Sequence, residues 1–176
     1  MRIGKFIKSP YFKKAKNRLI DMIVIHYISL PPGDFSSSDV IDFFTGKLDF
    51  SKHPFYEKLK DLRVSTHFFI RRSGEIIQFV DTEDIAYHAG ESEFRGRKNC
   101  NLYSIGIELE GDEDHPFTEN QYKSLVHLCS SLMKEYKNIT IDRIVGHCDI
   151  APKRKKDPGK YFDWEYFRKL LKNALR

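Results

Sequence analysis

Two histidines and an aspartate, His26, His147 and Asp157, are the residues of this chain best suited to hold a metal ion. Ten residues (157 − 147) separate His147 from Asp157, and Ala151-Pro152 between them resists helix formation, so we expect a closed loop. His26 lies in the apolar run 23–27, which predicts a buried strand. Two imidazoles and one carboxylate leave the fourth position of a tetrahedral zinc ion open to water, which is typical of catalytic zinc.

Each of these side chains also has an interpretation that needs no metal. A histidine in an apolar strand, such as His26, is often a hydrogen-bonded core residue. His147 follows Gly146 and Asp157 precedes Pro158, so both would lie at the edge of an element, where side chains face pockets. The residues alone therefore leave a metal site and a set of structural histidines both open.

Glu108 and Lys155 are the candidates for proton transfer and charge stabilisation. Glu108 and Glu110 alternate along the apolar run 105–111, so both should project from one face of a strand. That face could simply be solvated, but beside a metal Glu108 could act as the general base for a water molecule. Lys155 lies two residues before Asp157, and in an extended backbone both would face the same side, where an ammonium could stabilise an oxyanion.

A third set of residues could contact a substrate. His88 precedes Ala89-Gly90, whose small size lets a ligand approach closely, so we expect His88 in a pocket wall. Arg63 and Arg97 could clamp a carboxylate of the substrate or form exposed salt bridges. His67 is expected to be a hydrogen-bonded core residue.

The elements that must position these residues follow from hydrophobic periodicity and capping signals. We expect, in order, a strand over 23–28, a short helix that starts near 36–39 and stops at Gly46, a partly helical excursion over 47–62, a hairpin of 64–71 and 75–80, a strand over 104–109, a helix over 118–136 with a Thr118–Gln121 capping box, and a last helix capped by Asp163. Strands mixed with helices, without strict alternation, predict one α/β domain with a mixed central sheet flanked by helices.

The charge is distributed unevenly. Residues 1–18 carry seven basic side chains and no acid. Because the whole chain has a net charge of +5, residues 19–176 have a net charge of 5 − 7 = −2. A basic nucleic-acid face on the body is therefore not expected. We divide the chain into a basic segment, 1–20, and a domain, 21–176. The 176 residues and 40% apolar content suit one compact domain.

Location is predicted from the apolar runs and the cysteines. Charge interrupts residues 1–8 before an apolar stretch develops, so no secretory signal is expected, and the run 22–25 is too short to insert stably into a membrane. Three cysteines, an odd number without zinc-ribbon spacing, favour reduced thiols and a cytoplasmic protein. Nothing in the sequence implies an obligate protein partner.

Several segments together resemble the zinc-dependent N-acetylmuramoyl-L-alanine amidases of the type-2 amidase fold, which also contains the peptidoglycan recognition proteins. The resemblance spans roughly 23–170 and is most similar to the cytosolic AmpD-type enzymes that trim anhydro-muropeptides. The matching segments are His26–Gly33, Phe44–Gly46, His53-Pro54, Leu62–Ser65, Ile70–Arg72, Gly74–Ile76, His88–Gly90, Ser104–Gly111, Gly146–Gly159 and Phe162–Trp164.

This resemblance implies an activity and roles for individual residues. It implies hydrolysis of the amide between the lactyl group of anhydro-N-acetylmuramic acid and L-alanine, with one zinc ion per chain. Three residues would bind zinc (His26, His147, Asp157), Glu108 would orient and deprotonate the water, and Lys155 would stabilise the tetrahedral intermediate. Arg63 would hold an acidic group of the stem peptide.

The chain also departs from the family's pattern. Tyr27 stands where asparagine is usual, and Tyr87 where tryptophan is common, so both are expected to affect how the sugar or peptide is seated. Two other functions stay open within the same fold: a recognition module that binds peptidoglycan without cutting it, and a lysin that acts on intact cell wall.

Overall fold

The computed structural model describes residues 1–176, and its centre is a mixed sheet of six strands. The strands of this sheet, in chain order, are β1 (Lys5–Phe6), β3 (Met22–Ile28), β4 (Phe68–Ile70), β5 (Ile76–Gln78), β9 (Ser104–Glu110) and β10 (Ile144–Gly146), and their spatial order is β1-β5-β4-β9-β3-β10. Only the β4–β5 hairpin is antiparallel, and the other pairs are parallel. The predicted α/β class and mixed sheet are confirmed.

The remaining elements surround this sheet. They are β2 (Phe12–Lys13) paired with β6 (Ile85–Ala86), the hairpin β7 (Glu93–Phe94) and β8 (Arg97–Lys98), and the helices α1 (Asp39–Phe44), α2 (Glu119–Glu135), α3 (His147–Ile150) and α4 (Trp164–Ala174). Short 3₁₀ helices cover Phe50–Lys52, Pro54–Leu59, Cys100–Leu102 and Ile141–Arg143. No helix is long and apolar enough to cross a lipid bilayer.

The two long helices begin where the sequence predicted. Thr118 and Gln121 exchange side-chain and backbone hydrogen bonds at the start of α2, forming the capping box. The Asp163 carboxylate accepts a hydrogen bond from the backbone N–H of Tyr166 and caps α4. At α1, in contrast, Ser38 occupies the cap position without a side-chain capping bond.

Alternation along the two central strands separates the core from the site. Ile23 and Ile25 of β3 and Ile107 of β9 are fully buried in the cluster that includes α2 and α4. Their neighbours His26 and Glu108 therefore project from the opposite face of the sheet, because successive side chains of a strand alternate. A shift of one residue in either strand would turn these polar groups into the core.

The first 20 residues pack against the sheet. β1 pairs with β5 and forms one edge of the sheet, and β2 pairs with β6. Arg18 donates hydrogen bonds to the carbonyls of Thr82, Asn101 and Ser104 at 2.7, 3.2 and 3.0 Å. The division at residue 20 stays a prediction, but the basic segment is an integral layer of this fold.

Candidate metal centre

Three neighbouring strands bring the candidate metal ligands together. β3 lies between β9 and β10, with His26 opposite Glu108 and Ile25 opposite Gly146. His147 is the first residue of α3 and follows β10 directly, so its side chain emerges at the end of a strand beside His26. Asp157 lies in the following loop, which is tied back because the Cys148 N–H donates to the Asp157 carbonyl at 2.9 Å.

The three predicted ligands converge on one point. The Nδ1 atoms of His26 and His147 are 3.0 Å apart, and the Oδ2 atom of Asp157 lies 3.1 and 3.2 Å from them. All three side chains are buried, with exposures of 1%, 5% and 9%. One ligand atom from each residue lies within 4.8 Å of the others, so the group could hold a metal ion.

Hydrogen bonds on the far side of each imidazole leave the inner nitrogen free. The Nε2 atom of His147 lies 2.9 Å from the Ala89 carbonyl, which can only accept, so we assign the ring proton to Nε2. The Nε2 atom of His26 lies 2.9 Å from Nδ1 of His88. Both Nδ1 lone pairs can therefore point at one ion, which is the arrangement of metal-bound histidines.

The charge states also suit a cation. Burial lowers the pKa of His26, so its imidazole is held neutral. Burial alone would raise the pKa of Asp157, but the adjacent imidazoles of His147 and His26 outweigh it and lower that pKa below its usual range. Metal binding needs neutral imidazole and ionised carboxylate, and this cluster supplies both.

Glu108 lies beside this cluster with an unused oxygen. Its Oε1 atom is 3.9 Å from Nδ1 of His26, and its Oε2 atom is buried without any hydrogen-bond partner. Burial, and next the charge of Asp157, raise the pKa of Glu108 well above its usual value. A buried carboxylate oxygen without a partner is unusual, and this one belongs to a side chain that lies next to the candidate metal ligands.

Glu110, the other acidic residue on this face of β9, has hydrogen-bond partners for both of its carboxylate oxygens. Glu110 is two residues beyond Glu108 on the same face of β9, as predicted, but it is not solvated. Arg71 donates to both of its oxygens at 2.9 and 3.3 Å, and the backbone N–H of Arg72 donates at 2.9 Å. Glu110 is thus held in the fold by Arg71 and Arg72, whereas Glu108 lies beside the metal ligands with one oxygen free to bind another group.

Lys155 lies at the exposed rim of the cluster. Its positive charge lowers the pKa of both His26 and Glu108, although burial is the dominant influence on each. The ammonium is therefore close enough to act electrostatically on the metal ligands and on the proposed base.

The candidate substrate residues separate into two groups. Tyr27 is half-buried beside the loop of Asp157, since a Cβ atom at Gly159 would lie 3.3 Å from its ring, and burial raises its pKa to about 12. Tyr87 is 37% exposed. Arg63 is also exposed, and its guanidinium donates only to the carbonyls of Lys60 and Leu62. These three residues remain available to a ligand.

The other two candidates are engaged within the protein. Both oxygens of Asp21 accept hydrogen bonds from Arg97 at 2.8 and 2.7 Å, so Arg97 forms the salt bridge that was its alternative interpretation. His88 was expected in a pocket wall, but it is 9% exposed and lies behind His26 with both ring nitrogens hydrogen-bonded. His67 is the core residue that was expected, with its ring bonded to Asp84 and Gly106.

Some supporting residues carry no signal in the sequence. Ser104 binds the outer nitrogen of His88, and the Asn101 carboxamide accepts the N–H groups of His88 and Ala89 at 3.0 and 2.8 Å. A serine at the start of a strand and an asparagine in a loop are ordinary residues in any sequence. Only the fold shows that they surround the candidate ligands.

Known proteins share both the sequence and the fold. Residues 16–160 match the sequence profile of the N-acetylmuramoyl-L-alanine amidase family. The chain is 54% identical over 167 residues to the 1,6-anhydro-N-acetylmuramyl-L-alanine amidase AmpD of Haemophilus influenzae, covering 94% of this chain and 91% of that protein.

Solved structures agree with this relationship. The crystal structure of a selenomethionine AmpD derivative superposes with a TM-score of 0.92 at 42% identity, covering 96% of this chain and 94% of that one. The amidase AmiD of Escherichia coli, solved in complex with the substrate anhydro-N-acetylmuramic acid-L-Ala-D-gamma-Glu-L-Lys, superposes with a TM-score of 0.65 at 29% identity, covering 90% of this chain and 60% of that one.

Proposed function

The chain belongs to the N-acetylmuramoyl-L-alanine amidase family, and on that premise we propose that it is a zinc-dependent amidase of peptidoglycan recycling. Its substrate is the anhydro-muropeptide, and the amide that it cleaves joins the lactyl group of 1,6-anhydro-N-acetylmuramic acid to L-alanine. The observation that carries this proposal is the convergence of His26, His147 and Asp157 on one point beside the unpartnered Glu108 oxygen.

One zinc ion per chain would be held by Nδ1 of His26, Nδ1 of His147 and Oδ2 of Asp157. Nitrogen and carboxylate donors in a set of three, with room for a fourth ligand, suit catalytic zinc. When bound, zinc supplies Lewis acidity, which polarises a carbonyl oxygen and lowers the pKa of a water molecule to about 7.

Glu108 is the proton carrier in this proposal. Its carboxylate accepts a proton from the attacking water and then delivers that proton to the leaving amine of L-alanine. The free Oε2 atom provides the hydrogen-bond acceptor that such a water molecule needs. Burial keeps the carboxylate away from bulk solvent, so the proton is passed directly.

Lys155 and three further side chains act on the substrate. The Lys155 ammonium stabilises the negative charge that develops on the carbonyl oxygen, a contribution of about 3–4 kcal/mol for one preorganised donor. Arg63 binds an acidic group of the stem peptide, and Tyr27 and Tyr87 seat the sugar or peptide at the rim. The cytoplasmic location expected from the sequence stays a prediction.

Two other functions are less well supported. A recognition module that does not cut its ligand would have no use for a buried, unpartnered carboxylate oxygen beside a complete set of metal ligands. A lysin that acts on intact cell wall has the same fold, but the Clostridium intestinale endolysin LysCS is only 22% identical to this chain, which supports the fold alone. The 54% identical relative is named for the anhydro-muropeptide amidase activity.

The test is cleavage of purified anhydro-muropeptide compared with cleavage of whole sacculi, with the zinc content measured on the same sample. We expect one zinc per chain, cleavage of the soluble substrate, and loss of both after chelation. Asp157→Ala should abolish zinc binding, whereas Asp142→Ala, at an exposed aspartate that pairs with Arg95, should retain it. Full activity of the chelated, dialysed protein would refute the zinc mechanism, and preference for sacculi would favour the lysin.

A further inference from the structure

A chain of hydrogen bonds begins on the far side of His26 and ends on a backbone carbonyl. The Nε2 atom of His26 is 2.9 Å from Nδ1 of His88, Nε2 of His88 is 3.0 Å from Oγ of Ser104, and that Oγ is 2.6 Å from the Cys100 carbonyl. His26, His88 and Ser104 are all buried. Buried polar groups that cannot exchange with water must satisfy one another, so the direction of each bond is constrained.

The Cys100 carbonyl determines which atom donates in each of these hydrogen bonds. The Cys100 carbonyl can only accept, so the Ser104 hydroxyl donates to it and Oγ accepts from Nε2–H of His88. A proton on Nε2 of His88 leaves a lone pair on its Nδ1, which accepts the Nε2–H of His26. The Nδ1 atom of His26 is then unprotonated, and it faces His147 and Asp157.

We propose that His88 and Ser104 are positioning residues that fix the ring orientation and tautomer of His26, so that Nδ1 is ready to bind the metal. This inference rests on the metal centre proposed above. His88 itself touches neither metal nor substrate and acts only through His26. Hydrogen-bond partners of this kind fix which nitrogen of a histidine is metallated and raise its basicity as a ligand.

The backbone around His88 is shaped to hold the ring in place. A Cβ atom at Gly106 would lie 2.4 Å from Cγ and 2.7 Å from Nδ1 of His88, so the ring occupies a notch in β9 that only glycine provides. The Asn101 carboxamide fixes the backbone N–H of His88 at 3.0 Å. A histidine that merely filled space would not need its two nitrogens aligned between a donor and an acceptor.

The test compares His88→Leu with His88→Gln. Leucine removes both hydrogen bonds, whereas glutamine keeps an acceptor for His26 and a donor for Ser104. We expect His88→Leu to weaken Zn²⁺ affinity roughly 10–100-fold, measured by competition with a chromophoric chelator, and His88→Gln to stay within a few-fold of the wild type. The ¹⁵N shifts of His26 in the metal-free protein should show the Nε2–H tautomer in the wild type and the Gln variant, and its loss in the Leu variant.

Ser104→Ala and Gly106→Ala disturb the same row of hydrogen bonds without changing His88 itself. Ser104→Ala removes the acceptor for Nε2–H of His88, and Gly106→Ala displaces the ring, so both should weaken Zn²⁺ binding and disturb the His26 tautomer. Ser130→Ala, at a buried serine of α2 that bonds only to the His127 carbonyl, is the matched control and should bind Zn²⁺ like the wild type. If His88→Leu does not fold, the Zn²⁺ affinity and His26 tautomer of Ser104→Ala test the positioning role instead.

The outcomes separate this inference from the proposed function. If the wild type binds no Zn²⁺, the metal centre itself is wrong. If the wild type binds Zn²⁺ and the Leu variant binds equally well with an unchanged tautomer, only the positioning role is wrong. Equal losses in the Leu and Gln variants would show that His88 acts by shape alone, which also overturns the inference.

Discussion

Glu108 and Glu110 allow a matched experiment, because they are two residues apart on one face of β9 and both are buried. Glu108 has an oxygen with no partner, whereas Glu110 accepts three hydrogen bonds from Arg71 and Arg72. Replacing each by glutamine removes the charge and keeps the shape. We expect the free energy of unfolding of the metal-free protein to change in opposite directions.

For Glu108→Gln we expect a stabilisation of about 1–3 kcal/mol at pH 7.5, because the neutral amide avoids the cost of ionising a buried carboxylate that has no partner. The gain should depend on pH. The pKa of Glu108 is raised above 4.5 in the folded state, so the folded protein binds this proton more tightly than the unfolded chain does. Wild-type stability therefore declines as the pH rises above 4.5, by at most about 1.4 kcal/mol per pH unit from this group, and the variant lacks that decline.

For Glu110→Gln we expect a destabilisation of about 3 kcal/mol, the lower end of the range for a broken buried ion pair. The lower end applies because the Arg71 side chain keeps 20% of its surface exposed and can regain some hydration. Turnover should respond differently, since Glu108→Gln removes the proposed base and should lower kcat by about 10²–10⁴-fold.

The assay is urea unfolding of wild type and both variants at pH 5.5, 6.5 and 7.5 after removal of metal. The reasoning is refuted if Glu108→Gln is no more stable than the wild type at pH 7.5. Parallel pH profiles of the wild type and this variant would refute the pKa argument specifically.

Three further predictions concern the rim, the core and the salt bridge. Lys155→Ala should keep Zn²⁺, as checked by metal analysis, and lose about 10²–10³-fold in kcat; unchanged turnover would remove Lys155 from the mechanism. Burial lowers the pKa of His67 from 6.5 to about 3, so its imidazole stays neutral in the folded protein while the unfolded chain gains a proton below pH 6.5. Between pH 7.5 and pH 5 the free energy of unfolding of the wild type should therefore fall by about 2 kcal/mol more than that of His67→Gln, measured by urea unfolding. Equal losses in the two proteins would contradict this. Arg63→Ala should raise KM for muropeptides, whereas Arg97→Ala should lower only the melting temperature; a raised KM in the Arg97 variant would reverse that assignment.

The local sequence proposed the ligands of the site, and the resemblance to the amidase family favoured a metal site over structural histidines. A histidine in an apolar strand, a glutamate two residues from another, and an aspartate before Pro-Gly each restrict where a side chain points. The fold then brings His26, His147 and Asp157 together as expected. The roles of these residues in catalysis stay predictions.

The supporting residues were not predictable, because their partners are distant in sequence. Ser104 and His88 meet only because β9 lies beside the loop that follows β6, and no periodicity encodes that neighbour. Arg97 could be a clamp or a salt bridge from sequence alone, and the choice depends on Asp21, 76 residues away. The interpretation of His88 as a pocket wall failed for the same reason.

The edge strand β1 has a practical consequence for anyone who shortens this protein. A chain trimmed to residue 21 would leave β5 with a row of unpaired N–H and C=O groups, which invites pairing between molecules and precipitation. It would also remove Arg18, the donor that satisfies the Ser104 carbonyl at the start of β9. Residues 1–20 therefore cover the edge of β5 and limit pairing between molecules. A tag is better attached to the other terminus.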